Sequence, residues 1–165
     1  MRMTHFTCAA SAVLFACFAA VTAPPASAQF ASPRAASALS IPQSQLIQPD
    51  ELNHLLQSRS GKKPLILQVG SRVMFAQAHI PASEYAGPGS QDSGLQLLRN
   101  RVAMLSHDAF IVIYCGCCPW NRCPNVGPAY NLLADLGFKR VKVLYIADNF
   151  GADWANKGFP VAGSQ

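Results

Sequence analysis

Three short runs of apolar residues constrain the fold of this chain more than any other feature. The runs are continuous, rich in branched side chains, and cover residues 65–69, 110–114 and 141–146. Strands that are apolar throughout, rather than at alternate positions, are typical of a parallel sheet that is buried on both faces. Helical patterns at residues 95–105 and about 126–136 lie between the runs. The sequence therefore predicts an α/β fold, a small parallel sheet with helices on both faces.

A further helix is predicted near the start of this region. Pro49 suits a first helical turn, and Asp50 and Glu51 follow it near the positive end of the helix dipole. The helix is expected to end before Gly61, and the folded domain to begin near Leu46. A chain of 165 residues with 50% hydrophobic and 13% charged residues suits one globular domain.

The first 28 residues have the pattern of a secretory signal peptide. One arginine and no acid precede an apolar stretch at residues 6–21, and Ala26-Ser27-Ala28 forms an A-x-A cleavage site. This stretch is shorter than the roughly 20 residues that cross a bilayer, so a retained membrane helix is the weaker interpretation. We expect a periplasmic or secreted protein with no stable membrane anchor after cleavage.

The remaining chain divides into a linker and a domain. Residues 29–45 are rich in Ala, Ser and Pro without apolar periodicity, which predicts a linker, and residues 46–163 form the predicted domain. The formal net charge of +5 is scattered along the chain rather than gathered into a basic stripe. Nucleic acid is therefore not an expected partner.

Four cysteines lie within nine residues, at Cys115, Cys117, Cys118 and Cys123. An exported protein meets an oxidising compartment, where disulfides persist. Cysteines this close in sequence do not connect distant parts of a fold, as a disulfide framework does. We interpret them as a local chemical device.

The position of Cys115 predicts a reactive thiol. Cys115 follows the apolar run at residues 110–114, and ligands of parallel sheets bind beyond the carboxyl ends of strands. Pro128 limits where the next helix begins, so Asn125 is the predicted N-cap. A thiolate facing a helix N-terminus is stabilised, and Arg122 adds a positive charge. We therefore expect Cys115 to have the most acidic thiol of the four.

Five segments occur in an order shared with a known family. They are LIQPDEL at 46–52, Phe75 with HIPA at 79–82, Tyr114-Cys115, LGF at 136–138 with VKVL at 141–144, and Trp154 with GFPV at 158–161. In this order, residues 46–161 resemble the rhodanese-like family. Tyr114-Cys115 is similar to the family's strand end with its catalytic cysteine.

The resemblance implies a sulfurtransferase, with Cys115 as the catalytic residue. Cys115 would take sulfane sulfur from a donor such as thiosulfate, hold it as a persulfide and pass it to an acceptor. The implied partners are a small sulfur-containing anion or thiol, with a thiol-bearing protein as a further candidate, and no cofactor is implied. Arg122, Gly116 and Asn125 are the candidate anion-binding residues.

The sequence also differs from the family pattern. Gln68-Val69-Gly70 stands where the family has Asp-Val-Arg, and the cysteine loop is enlarged to residues 115–124. Pro119 and Pro124 remove two backbone N–H donors from that loop. Six residues separate Cys115 from Arg122, one more than in the related phosphatases, which argues against phosphatase chemistry. These differences predict a pocket unlike the usual thiosulfate pocket.

Three other interpretations of the loop remain open. Cys115 and Cys118 form a Cys-x-x-Cys pair suited to thiol-disulfide exchange, with Cys117, Cys118 and Cys123 as resolving or redox thiols. The four thiols are also candidate ligands of Cu(I) or zinc, although adjacent Cys117 and Cys118 chelate one ion awkwardly. Finally, two local disulfides would give the loop a purely structural role.

Overall fold

A five-stranded parallel sheet forms the centre of the protein. The structure is a computed structural model that describes residues 41–59 and 61–163, so the predicted signal peptide and most of the predicted linker lie outside the described residues. The sheet order is β1-β5-β4-β2-β3, and every pairing is parallel. The strands are β1 (Leu46–Ile47), β2 (Leu65–Gln68), β3 (Glu84–Tyr85), β4 (Phe110–Tyr114) and β5 (Arg140–Leu144). The predicted parallel sheet is confirmed.

In the described part of the chain, five α-helices surround the sheet: α1 (Pro49–Gln57), α2 (Arg72–Gln77), α3 (Asp92–Val102), α4 (Val126–Asp135) and α5 (Phe150–Asp153). Short 3-10 helices lie at Gln43–Gln45, Trp120–Arg122 and Ala155–Lys157. Within the described residues, no helix combines the length and apolar character needed to cross a membrane.

The helices cover both faces of the sheet, as expected. Alternate residues of a strand point to opposite faces, and Ile111 and Ile113 pack into the core beneath α3 and α4. Val112 and Tyr114 pack instead into a second core beneath α1 and α5. Cys115 continues this alternation and lies in the α3 and α4 core.

The observed bounds of helix α3 and the observed start of the folded domain differ from the expected ones. Helix α3 begins and ends three residues before the predicted span of 95–105. It includes Gly94, a poor helix former, because a Cβ at this position would collide with the Pro88 carbonyl oxygen. The fold also begins before Leu46, since Ile41, within the predicted linker, is buried in the core.

Candidate functional site

The four cysteines of the predicted site converge beyond the carboxyl end of β4. Cys115 directly follows that strand, and the loop then passes through a 3-10 helix at Trp120–Arg122 before α4 begins. Cys115 and Cys123 are buried, whereas Cys117 and Cys118 are half-buried. All four are free thiols. The sequence-based placement of Cys115 at a strand end facing a helix is confirmed.

The thiols form a compact group, here called the thiol cluster. The Sγ atoms of Cys115 and Cys117 are 2.9 Å apart, and those of Cys117 and Cys118 are 3.3 Å apart. The three sulfurs all lie within 4.8 Å of one another. Cys123 is buried in the same core as Cys115, and Cys117 and Cys118 pack against that core. Cys117 therefore occupies the centre of the cluster.

Gly116 produces the turn that makes Cys115 and Cys117 neighbours. Its φ of 75° lies in the left-handed region that favours glycine. Its carbonyl oxygen accepts a hydrogen bond of 3.0 Å from the Phe150 amide. A Cβ on this residue would lie 2.9 Å from the Phe150 Cβ, which is too close. Both the turn and its packing therefore need glycine.

Two residues that differ from the family pattern position Cys115. The buried Gln68 side chain donates a hydrogen bond of 3.1 Å to the Cys115 carbonyl oxygen and accepts one of 3.1 Å from the Gly70 amide. A Cβ on Gly70 would lie 2.8 Å from the Cys115 Sγ. Sequence reasoning missed both roles, although the parallel register that places Gln68 beside Tyr114 could have suggested the first.

Asn125 occupies the predicted N-cap position of α4 but plays a different role there. Its side chain makes no capping hydrogen bond. Instead, its Nδ2 donates to the Cys115 Sγ at 3.3 Å, and its Oδ1 accepts from the Ser90 amide at 3.0 Å. A Cβ on Gly89 would collide with the Asn125 carbonyl oxygen, so the segment before α3 packs directly against this residue. Asn125 thus links that segment to the catalytic candidate.

The pKa directions within the thiol cluster differ from the expectation that Cys115 has the most acidic thiol. Hydrogen bonds from Cys115 and Cys123 stabilise a thiolate on Cys117 and lower the pKa of Cys117. The contact with Cys117, followed by that with Cys123 and by burial, raises the pKa of Cys115. Burial and then the Cys117 contact raise the pKa of Cys118 to about 12. These directions favour a thiolate on Cys117, in contact with the Cys115 Sγ at 2.9 Å.

A cavity of about 140 Å³ reaches Cys115. Among the described residues that line this Cys115 cavity, none has a charged side chain. Its lining includes two glutamines, one tyrosine and Cys115, together with the apolar Met74 and Phe150. The cavity therefore admits a small, weakly charged molecule more readily than a dianion.

Arg122 lies in a different depression, here called the Arg122 groove. This groove of about 550 Å³ is also lined by Trp120, Tyr145 and Asp148, and no cysteine of the described chain borders it. The Trp120 and Tyr145 rings pack with their centroids 5.2 Å apart. Within residues 41–59 and 61–163, the Arg122 guanidinium forms no ion pair. The structure thus brings Gly116 and Asn125 to Cys115, but it does not bring Arg122 there.

The sulfur distances also bear on the metal interpretation. Thiolates at about 2.3 Å from a tetrahedral zinc ion lie about 3.8 Å from one another. The observed separations of 2.9 and 3.3 Å are shorter. Cys115, Cys117 and Cys118 are close enough to share a soft ion, but their spacing suits sulfur-sulfur contacts better than metal coordination.

Comparisons with known proteins identify the fold. No family model matches this sequence, and no curated protein sequence matches it. A crystal structure of the Alr3790 protein from Anabaena sp. is 23% identical, with a TM-score of 0.55, over 71% of this chain and 91% of that chain. A solution structure of the rhodanese-like domain of Alr3790 is 21% identical, with a TM-score of 0.54, over 73% and 80%.

A third structure agrees with these two. The BH2092 protein from Bacillus halodurans is 23% identical, with a TM-score of 0.54, over 73% of this chain and 77% of that chain. The chain described here therefore has the rhodanese-like fold, as its resemblance to that family predicts. The fold places Cys115 where a strand meets the N-terminus of a helix, within a cysteine-rich loop.

Proposed function

We propose that this protein is a sulfurtransferase that carries sulfane sulfur as a persulfide on Cys115. The observation that carries this proposal is the position of Cys115, which borders a small cavity and whose Sγ lies 2.9 Å from the Cys117 Sγ. A nucleophile needs access to its substrate and a neighbouring group that takes its proton. Cys115 has both.

The first step uses Cys117 as the base. The Cys115 and Cys117 sulfurs share one proton and one negative charge across their 2.9 Å contact. Uptake uses the form in which Cys117 holds the proton, and the Cys115 thiolate attacks the sulfane sulfur of the donor. The bond between that sulfur and the rest of the donor breaks, and the leaving group keeps the electron pair. The products are a Cys115 persulfide anion, a protonated Cys117 and the desulfurated donor.

The uncharged cavity indicates the class of donor. A dianion such as thiosulfate would lose hydration there without gaining a charged partner, which is unfavourable. We propose a donor that is a neutral or singly charged sulfur compound, and an acceptor that is a thiol, free or on a protein. The signal-like sequence at residues 1–28 supports the proposal that this chemistry occurs in the periplasm or outside the cell.

Mass spectrometry of the reduced protein tests this function. The donor is the methanethiosulfonate anion, which is small and singly charged, and the acceptor is left out. Sulfur uptake is measured as the methanesulfinate that the donor releases, and a persulfide that persists on the protein adds about 32 Da. We expect Cys115→Ser to abolish sulfur uptake and Cys118→Ser, the matched control, to retain it. Equal uptake by Cys115→Ser would contradict the proposal, and a metal ion retained by the purified protein would favour metal binding instead.

The close contact of Cys115 and Cys117 also favours a second candidate function, thiol-disulfide exchange. In that case the protein would oxidise or reduce a partner thiol pair without sulfane sulfur. The measurement is the exchange of disulfide with a model dithiol when no sulfur donor is present. A rate that matches sulfur uptake would favour this candidate.

A further inference from the structure

We infer that Cys117 resolves the Cys115 persulfide within the protein, so that the sulfur leaves as sulfide and a Cys115–Cys117 disulfide remains. This inference rests on the proposed function and deepens it, because it names the resolving thiol and the product. Resolution here means attack on the inner sulfur of the persulfide, which is the Cys115 Sγ itself.

The geometry selects the inner sulfur as the point of attack. Thiol-disulfide chemistry proceeds by attack of one sulfur on another, and its rate depends on which sulfur is accessible. The Cys117 Sγ is 2.9 Å from the Cys115 Sγ before any donor binds, and the turn at Gly116 keeps the two thiols together. A disulfide bond of about 2.0 Å needs less than about 1 Å of further approach.

The other two cysteines are less well placed for this step. The Cys118 Sγ is 3.3 Å from the Cys117 Sγ. Its distance from the Cys115 Sγ is at most 4.8 Å. Cys123 is buried at the base of α4 and is 5% exposed. Cys118 is instead placed to exchange with the new disulfide and to present it to a reductant, because it is half-buried.

The step balances in atoms and electrons. The Cys115 persulfide anion and the Cys117 thiol give a Cys115–Cys117 disulfide and hydrosulfide, HS⁻. The bond between the Cys115 Sγ and the outer sulfur breaks, and a bond between the two cysteine sulfurs forms. The outer sulfur is reduced by two electrons, and each cysteine sulfur is oxidised by one. The proton that Cys117 gained during sulfur uptake leaves with the sulfide.

A second turnover then requires a dithiol reductant, either a small molecule or a protein. The dithiol attacks the disulfide, forms its own disulfide and restores both cysteines as thiols. The exposed sulfur of the product would be that of Cys117 rather than that of Cys115, which is 4% exposed. The acceptor class that the structure favours is therefore a dithiol that delivers two electrons, rather than a nucleophile that removes the sulfane sulfur directly.

The test is a single-turnover reaction of the reduced protein with the methanethiosulfonate anion, which itself contains no sulfide. Released sulfide is trapped by alkylation while the protein mass is recorded. Wild type is expected to release about one equivalent of sulfide and to lose about 2 Da, the mass of two hydrogens. Cys117→Ser lacks the base of the first step and should take up sulfur more slowly, but at the end of the reaction it should carry the added 32 Da, with sulfide release reduced at least about tenfold. Cys118→Ser, the control, should behave as wild type does.

Each other outcome overturns part of this account. If wild type holds the added 32 Da without releasing sulfide, the inference fails while the proposed function stands. If Cys118→Ser retains the persulfide and Cys117→Ser does not, the resolving thiol is Cys118 and the inference fails. If neither wild type nor Cys117→Ser takes up sulfur, the proposed function fails, and the inference fails with it.

Discussion

The Cys115 cavity and the Arg122 groove are both lined by the enlarged loop between β4 and α4, but they differ in charge and shape. The cavity is small and borders the catalytic candidate, and none of the described residues that line it has a charged side chain. The groove is wider and contains both Arg122 and Asp148. The difference shows that Cys115 and Arg122, both in this loop, line separate depressions.

This separation changes how the thiolate is stabilised. Neighbouring thiols, Cys115 first, lower the pKa of Cys117, and the Cys115 Sγ lies 2.9 Å from the Cys117 Sγ. The side chain of Asn125 adds a hydrogen bond to Cys115. Hydrogen bonds to an ionised acceptor are the stronger kind. A cation beside Cys115 is therefore not required for sulfur chemistry.

The largest expected effect comes from filling the space beneath Cys115. In Gly70→Ala, a Cβ 2.8 Å from the Cys115 Sγ must displace the thiol. A misplacement of about 1 Å can reduce a reaction rate about 100-fold, so we expect a loss of sulfur uptake of that order. Ser71→Ala is the control, because the Ser71 side chain makes no capping hydrogen bond. Unchanged uptake in Gly70→Ala would show that the site tolerates a shifted Cys115.

The next effect concerns pH. Because the pKa of Cys117 is lowered, its thiolate persists as the pH falls, whereas an ordinary thiol near pKa 8.5 loses its thiolate tenfold per unit. At pH 6, alkylation of Cys117 should exceed that of Cys118 by at least about tenfold, after allowance for the weaker nucleophilicity of an acidic thiolate. Peptide mapping after brief alkylation measures this ratio. Faster labelling of Cys115 than of Cys117 would show that Cys115, at the end of β4, has the most acidic thiol.

The sequence predicted the scaffold of the site because its signals are local. The run at residues 110–114 matches β4 residue for residue, and the parallel-sheet rule then places Cys115 at the carboxyl edge. The helix after the loop was also predicted from local signals, since Pro128 limits its start and Gly137, with a φ of 83°, follows its end. The apolar pattern, together with the helix-limiting residues Pro128 and Gly137, was sufficient to predict these elements.

The polar contacts of Cys115 and the position of the Arg122 side chain could not be predicted from local sequence patterns. The role of Gln68 depends on a side chain that crosses from β2 to Cys115, beyond the reach of any local pattern. The position of Arg122 depends on the 3-10 turn at Trp120–Arg122, which carries its side chain into a groove with Tyr145. Both follow from contacts between segments that are distant in sequence.

An intermediate effect is expected from Gln68. In Gln68→Leu, the Cys115 carbonyl oxygen and the Gly70 amide lose their hydrogen-bond partner. Leaving buried polar groups without a partner costs about 1–3 kcal/mol of stability. The measurement is the free energy of unfolding in denaturant. The control is Gln77→Leu, which changes another cavity glutamine whose side chain makes no hydrogen bond among the described residues. Equal stability of both variants would remove Gln68 from the support of the site.

The smallest effect on sulfur uptake is expected from substitutions of Arg122, in the Arg122 groove. If Arg122 held the donor, Arg122→Ala would remove about 2–3 kcal/mol of stabilisation and slow sulfur uptake about 30- to 150-fold. Since Arg122 lies in a groove that no described cysteine borders, we expect Arg122→Ala and Arg122→Lys to alter uptake from methanethiosulfonate by less than about threefold, under about 0.7 kcal/mol.

The same variants should be compared with thiosulfate, the dianionic donor. A loss of 30-fold or more with both donors, relieved in Arg122→Lys, would mean that Arg122 reaches Cys115 during the reaction, and the separation of the two depressions would not hold. A loss confined to thiosulfate would have a narrower meaning. Arg122 would then attract a doubly charged donor from the neighbouring groove, while the transfer of sulfur to Cys115 would still take place without a charged partner in the cavity.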